Sequence, residues 1–449
     1  MMRLAMPVLV EQSLIMLVGL VDTWLAGKFL GEDKHLAAIG LMAYVMWLLP
    51  SMFAALAIGG TAMVSRFVGA GDIKKAAHVT NQAIVVGTLF AVVVTALTYL
   101  CGGSFVTVMQ LQEDSAPLAL RYLMFLVPVI PLIMIEEIGI ACLRGAGDTM
   151  SGFVAMSIVN VINVIISTTL VTGIGLSPEE RWNGLAIGTA VAHSLGAVII
   201  LGLLIRGRAG LQLRPSMMKA DGDLIRRLLR IGVPGGLDIL LILFCHLWYL
   251  AIINGLGTAA AAAHSLGVRI ESIAYLPGAA FQVAAATMAG QFLGANDPHR
   301  ASRSVFMALA VGCTIMTVAG FVMFFAGEFA TSLFLAGDAQ TGETADTTTK
   351  LLKIVALSMP SLALVMIFTG ALRGAGDTRW PLVFTLVGYF GVRIPLAYVF
   401  SRYGVAVPLT DIVISGVYGA WWAMVLDVFF RSVLVSIRFW HGGWKKTTV

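Results

Sequence analysis

Long apolar runs separated by short charged segments organise this chain. The runs lie at 5–27, 36–64, 80–102, 117–142, 152–174, 184–205, 231–254, 259–291, 304–326, 350–372, 381–401 and 414–437. A helix needs about 20 apolar residues to cross the hydrocarbon of a bilayer, and each run supplies that length. Strands of a membrane barrel would show segments of about 10 residues with strict alternation, a pattern these runs lack. The runs at 36–64 and 259–291 are longer than one crossing, so they must tilt, bend or extend beyond the membrane. The pattern predicts an all-α integral membrane protein of twelve transmembrane helices.

Composition supports the same class. Of the 449 residues, 59% are hydrophobic and 12% charged, against roughly half and a quarter in soluble domains. This excludes an ordinary water-soluble enzyme, a nucleic-acid binder and a disordered chain. The four cysteines, Cys101, Cys142, Cys245 and Cys313, stand apart, with no spacing for a metal site or a disulfide framework. The first run carries Glu11 and Asp22 and lacks a clean cleavage site, so it reads as a retained span. With the N-terminus inside, the inner segments hold 19 Lys and Arg and the outer loops five. That split places both termini in the cytoplasm of a cell (inner) membrane protein with an even number of spans.

The chain also repeats itself. LRGAGDT at 143–149 recurs unchanged at 372–378, and RFVGAGDIKKA at 66–76 is echoed by QFLGANDPHRA at 291–301. Pro7 with Glu11 matches Pro234 with Asp238. The offsets of 229, 225 and 227 residues nearly agree. The expected organisation is two six-helix lobes, 1–205 and 231–449, joined by a basic cytoplasmic linker at 206–230. An even number of spans per lobe makes the repeats parallel, with a pseudo-two-fold axis along the membrane normal. This is a known transporter plan with its site between repeats.

PVLVEQSLIMLVGLVDTWLAGKFL at 7–30, LAAIG at 36–40, GAGD at 69–72, both LRGAGDT copies, AAAHSLGVRIES at 261–272 and RIPLAY at 393–398, taken in order, resemble the multidrug and toxic compound extrusion family. The resemblance spans the whole chain and is closer to the DinF-like than the NorM-like branch. It implies a secondary antiporter rather than an enzyme, exchanging a proton or a sodium ion for a small organic substrate, often a cation. No other cofactor, no bound metal and no nucleic acid are implied. The lipid bilayer is the only other partner, and a monomer is expected.

Ionisable groups inside spans are costly, so each is a candidate. Asp22 lies in the outer half of the first span, where it either exchanges a cation or is held structurally by hydroxyls and amides. Its repeat counterpart is Tyr249, so the repeat itself does not demand an acid there. The resemblance marks Asp22 as the coupling acid. It places Asn163 near it, with Ser167 on the following turn where the family often has an acid or amide. With Thr189 these form a neutral shell, which suits a proton better than sodium, since hard cations favour charged oxygen ligands. Glu11 falls within about 20° of the face of Asp22 and about 16 Å away along the helix, so it either shares a cavity or pairs at the inner rim. Asp238 is its counterpart. The acid that binds the cation in the NorM-like branch aligns with Ile242, which leaves Asp238 as a substitute or a rim residue. Further candidates for a substrate cavity are Met16, Met42, Met46, Phe281 and Gln282.

Glu136 and Glu137 read as partners of Arg144 or another loop base, and Arg269, Glu271 and Arg393 as a packing ion pair or gate. His193 and His246 read as hydrogen-bonded packing groups. Other classes account for the chain less well. A GxGD intramembrane protease needs two aspartates sharing a proton, whereas the repeated GAGD reads as a Gly turn whose Asp caps the next helix or pairs with an adjacent Arg. An ATP-driven pump lacks its P-loop. A lipid-linked oligosaccharide flippase of the same superfamily would carry clustered arginines in its cavity, where this chain places acids.

Overall fold

The structure, a computed structural model, describes residues 1–30, 33–109, 114–175, 177, 180–335, 342–406 and 413–449. The first half contains α1 (Met2–Leu25), which continues as a π-helical turn to Leu30, α2 (Asp33–Met52), α3 (Ala54–Gly69), α4 (Ile73–Val108), α5 (Ala116–Leu126), α6 (Ile130–Gly145), α7 (Thr149–Val171) and α8 (Asn183–Ile205). The second half contains α9 (Gly222–Asn254), α10 (Thr258–Gly294), α11 (Pro298–Phe325), α12 (Gly327–Ser332), α13 (Glu343–Ala356), α14 (Met359–Gly374), α15 (Arg379–Leu386), α16 (Ile394–Tyr403) and α17 (Gly416–His441). A π-helical segment, Val387–Arg393, joins α15 to α16.

Among the described residues, eleven helical segments are long and apolar enough to cross a membrane. A twelfth candidate is the pair α13 and α14, bent by 54°. Prolines account for most departures from straight spans. The run at 36–64 breaks into α2 and α3 just after Pro50, which supplies no N–H to continue the ladder. A single 3-10 turn with Pro128 separates α5 from α6, and Pro360 opens α14. Pro7 leaves the Arg3 carbonyl without its helical donor, and the Thr149 hydroxyl donates to that oxygen at 3.4 Å.

The chain divides into two compact units, Met2–Gly236 and Leu237–Val449, with the boundary inside α9. In the first, α3, α4 and α6 pack on one another, α1 packs on α7, and α8 is held by α5, α6 and α7. In the second, α10, α11 and α14 pack on one another, and α17 packs on α13, α14 and α16.

The GAGD repeat ends four helices in one way. Asp72, Asp148, Asp297 and Asp377 each donate their N–H back to the carbonyl five residues earlier, at 2.8–2.9 Å. The residue before each is left-handed: Gly71 at φ +76°, Gly147 at +91°, Gly376 at +85° and Asn296 at +59°. This closes the helix with a Schellman motif, where Gly or Asn avoids the Cβ clash. Three of the aspartates then start the next helix, accepting from Lys75 N, Ser151 N and Arg300 N at 3.0, 3.1 and 2.9 Å. Asp377 instead accepts from Arg438 at 2.8 and 3.0 Å. Each aspartate is thus committed to a cap or an ion pair, as a loop motif requires.

Candidate ion-coupling site

The first unit buries one acid that touches only neutral groups. Asp22 on α1 is 5% exposed. The Thr189 hydroxyl on α8 donates to its Oδ2 at 3.4 Å, close to the outer limit of a hydrogen bond. Thr189 Oγ1 accepts from Asn163 Nδ2 at 3.1 Å and bonds the Tyr122 hydroxyl at 3.0 Å. Thr189 has one hydroxyl proton, so when it serves Asp22 the other two groups must donate inward. The Asp22 Oδ1 and Asn163 Oδ1 atoms are buried and find no donor among the described residues. No Lys or Arg side chain pairs with Asp22 there either. An ionised carboxylate in this shell would have one loose donor and no counter-charge, which is an expensive arrangement away from water. A proton or another cation on the unsatisfied Oδ1 removes that cost.

Asn163 therefore reaches Asp22 only through Thr189. Ser167 is fully buried, but its hydroxyl makes no bond to the cluster and lies against Gly188. Tyr122 was not among the sequence candidates. Its signal was weak, since a Tyr near the end of a span ordinarily marks the membrane interface.

Both units carry a second, paired acid. Arg144 donates to Glu11 at 2.5 Å, and Arg373 donates to Asp238 at 2.5 Å. The carboxylates are each 1% exposed. Each acid stands four residues after a proline of the repeat, and each arginine is the Arg of LRGAGDT. Two anchors that are separate in the sequence are thus one contact made twice. Of the two roles the sequence left open for Glu11 and Asp238, the structure gives the ion-paired one: each carboxylate is engaged by an arginine. It also relocates Arg144, whose partner lies on α1.

Glu136 differs from its expected pairing as well. His193 Nδ1 on α8 bonds its Oε2 at 2.7 Å. Glu137, on the adjacent face of α6, lies within electrostatic reach of Arg144, Glu136, Glu11 and His193.

In the second unit Arg393 binds Asp427 and not Glu271 or any acid near Arg269. Arg393 donates to Asp427 Oδ2 at 2.9 Å, and Arg431 reaches both oxygens of the same carboxylate at 2.9 Å. Both guanidiniums lie over the Tyr389 ring, 4.4 Å from its centre. Asp427 is fully buried and the two arginines are 4% and 6% exposed. Arg269 is exposed and Glu271 half-buried. Asp427 and Arg431 escaped the sequence analysis, although an acid and an Arg four apart inside an apolar helix form a legible pair. Tyr249 is buried with its ring against His264 at 5.7 Å, and its hydroxyl finds no partner among the described residues. Met42 and Phe281, at 1% and 2% exposure, belong to the packed core and not to an accessible wall. Met16, Met46 and Gln282 are half-buried. His246 bonds the Ile242 carbonyl of its own helix at 2.8 Å.

Comparison with known proteins agrees with this architecture. The family model MatE matches residues 7–169 and 234–399, one segment in each half. A probable multidrug resistance protein NorM of Thermotoga maritima is 26% identical over 447 residues, covering 100% of this chain and 93% of its own. The multidrug resistance protein MdtK of Proteus mirabilis is 23% identical, covering 98% and 94%. An outward-facing structure of a multidrug resistance MATE family transporter superposes with a TM-score of 0.87 at 20% identity, covering 99% of this chain and 96% of that one. A MOP superfamily transporter from Pyrococcus furiosus, described as having a binding pocket of reverse polarity that suggests a different function, superposes with a TM-score of 0.88 at 19% identity, with coverage of 99% and 96%. With both halves matched by the family model, the chain belongs to the MatE family of multi-pass membrane transporters.

Proposed function

We propose that this chain is a proton-coupled antiporter that exports small organic solutes, cationic or amphipathic, by alternating access. Both termini then lie in the cytoplasm. The observation that carries the reading is Asp22, a buried acid whose only hydrogen bond among the described residues comes from a neutral hydroxyl. Deprotonated Asp22 favours the substrate-accepting state, and a proton taken from outside repacks α1 and expels the substrate. The shell holds a single carboxylate, with Ser167 where the family often has an acid, which supports a proton over sodium. Ile242, where the NorM-like branch carries an acid, supports placement nearer the DinF-like branch.

A flippase reading draws on Arg393 and Arg431 as a cationic cluster for a pyrophosphate. Both guanidiniums are buried against Asp427, so neither is displayed to a ligand. The test is efflux of a fluorescent organic cation from proteoliposomes under a proton or a sodium gradient imposed separately. Export driven by protons and lost in Asp22→Asn is expected. Export driven only by sodium contradicts the coupling, and no export under either gradient favours the flippase.

A further inference from the structure

We propose that Glu136 and His193 form a second proton-exchanging site in the first unit, one helical turn along α8 from the Asp22 cluster. The inference deepens the antiport reading and rests on it for its role in transport. Thr189 and His193 are four apart on α8, so they lie one above the other on a single helix face. The first touches Asp22 and the second touches Glu136.

The dyad is built for a mobile proton rather than a fixed charge. Its two members differ in access, with the His193 side chain 15% exposed and that of Glu136 3%. The imidazole is the more accessible member, and the carboxylate is almost fully buried. Gly196 makes that burial possible, because a Cβ there would collide with Glu136 Oε1. That same oxygen is buried without a donor. With Nδ1–H donating to Oε2, Nε2 keeps a lone pair. Uptake forms one N–H bond at Nε2 and gives an imidazolium against a carboxylate. Release breaks that bond, and no other bond changes.

The charged surroundings fit transfer along the unit. Asp22 of α1 and Glu137 of α6 act electrostatically on His193, and Glu11 of α1 and Glu137 lie within electrostatic reach of Glu136. From α5 comes Tyr122, bonded to Thr189. No titratable side chain stands on α7. Arg208, near the end of α8, is engaged with Asp148 at 2.6 Å. Of these acids, Glu11 is ion-paired with an arginine, and Asp22 and Glu136 make no arginine pair among the described residues.

The test is a titration of histidine side chains by nitrogen NMR on the full chain in detergent, with His193→Gln assigning the signal. The expected result is a His193 signal that changes between neutral and protonated forms within about pH 5 to 8, with a midpoint displaced in Glu136→Gln. A His193 signal fixed in one form across that range overturns the proposal. If His193→Gln does not fold, the signal displaced in Glu136→Gln serves as the assignment. In proteoliposomes, His193→Gln is expected to lose the pH dependence of export that wild type shows. An unchanged pH profile there overturns the dyad, while loss in Asp22→Asn alone leaves the antiport reading standing. If wild type exports nothing under a proton gradient, the antiport reading fails and the titration alone decides the dyad.

Discussion

Asp22 and Asp427 are both acids buried in membrane helices, yet their neighbours differ in kind. Asp427 lies between two guanidiniums at 2.8–2.9 Å, and each of its oxygens is satisfied. Asp22 has one hydroxyl at 3.4 Å and a bare oxygen. The cost of burying a charge is met by the protein itself in the second unit. In the first it is left for something that comes and goes. The second unit thus locks a buried acid on α17, whereas the first leaves one on α1 with an open oxygen; the two helices are not counterparts in the repeat. The pairs Glu11–Arg144 and Asp238–Arg373 show what the halves retain in common, a clamp from the proline-marked helix to the LRGAGDT turn.

The largest effect is expected at the locked acid. Asp427→Asn leaves two arginines buried without their counter-charge, and breaking such a pair costs about 3–5 kcal/mol. Size-exclusion chromatography and thermal unfolding in detergent should show loss of folded protein. Asp22→Asn should keep the folded, monodisperse profile and lose proton-driven export. Equal destabilisation by the two variants would erase the contrast.

The clamps come next. Arg144→Gln and Arg373→Gln should each destabilise by about 3 kcal/mol or more. The doubly neutral variants, Glu11→Gln with Arg144→Gln and Asp238→Asn with Arg373→Gln, should recover much of the loss in a double-mutant cycle. Purely additive losses would show that the paired carboxylates do not act through their arginines.

A smaller effect is expected at Thr189. Thr189→Val removes the only donor to Asp22 among the described residues, and a hydrogen bond worth about 0.5–1.5 kcal/mol corresponds to at most about a tenfold change in export rate. A complete loss would mean that Thr189 does more than hold the acid.

The smallest lies outside the membrane, at the Asp148 cap. Burial alone would push the Asp148 carboxyl up, but hydrogen bonds from Arg208 and Ser151 outweigh it and hold the carboxyl below its ordinary range. The stability this supplies is present above about pH 4 and is lost as pH falls through the folded value. Asp148→Ala should cost about 1 kcal/mol near neutral pH, read by thermal unfolding, with the difference from wild type shrinking in acid.

Much of the frame was legible in the chain because apolar length and loop charge are local signals. The twelve runs map onto the helical segments, and each GAGD turn closes its helix, with Asp72 and Asp148 capping the next one and Asp377 paired with Arg438. Asp22 was legible because an acid inside a span has few bland explanations. Its partners were less so. Tyr122 and Thr189 are ordinary residues in sequence, and only the packing of α5 and α7 on α8 joins them. The pairing of Glu11 with Arg144 spans 133 residues. Adjacency in the chain suggested Glu137 for that arginine, and the return of α6 towards α1 decided otherwise. Gln82 and Asn81 show the same limit. These buried amides of α4 bond the backbone of the segment after α8 at Gln212, Arg214, Met217, Lys219 and Asp221. The basic segment read as a linker is therefore held to the first unit, a contact that no periodicity announces.

The most direct test of an exchangeable Asp22 is infrared difference spectroscopy of the full chain between about pH 5 and 8. The account predicts a protonated carboxyl signal that disappears in Asp22→Asn and persists in Asp238→Asn. A signal that survives Asp22→Asn unchanged, or that vanishes in Asp238→Asn, would contradict it.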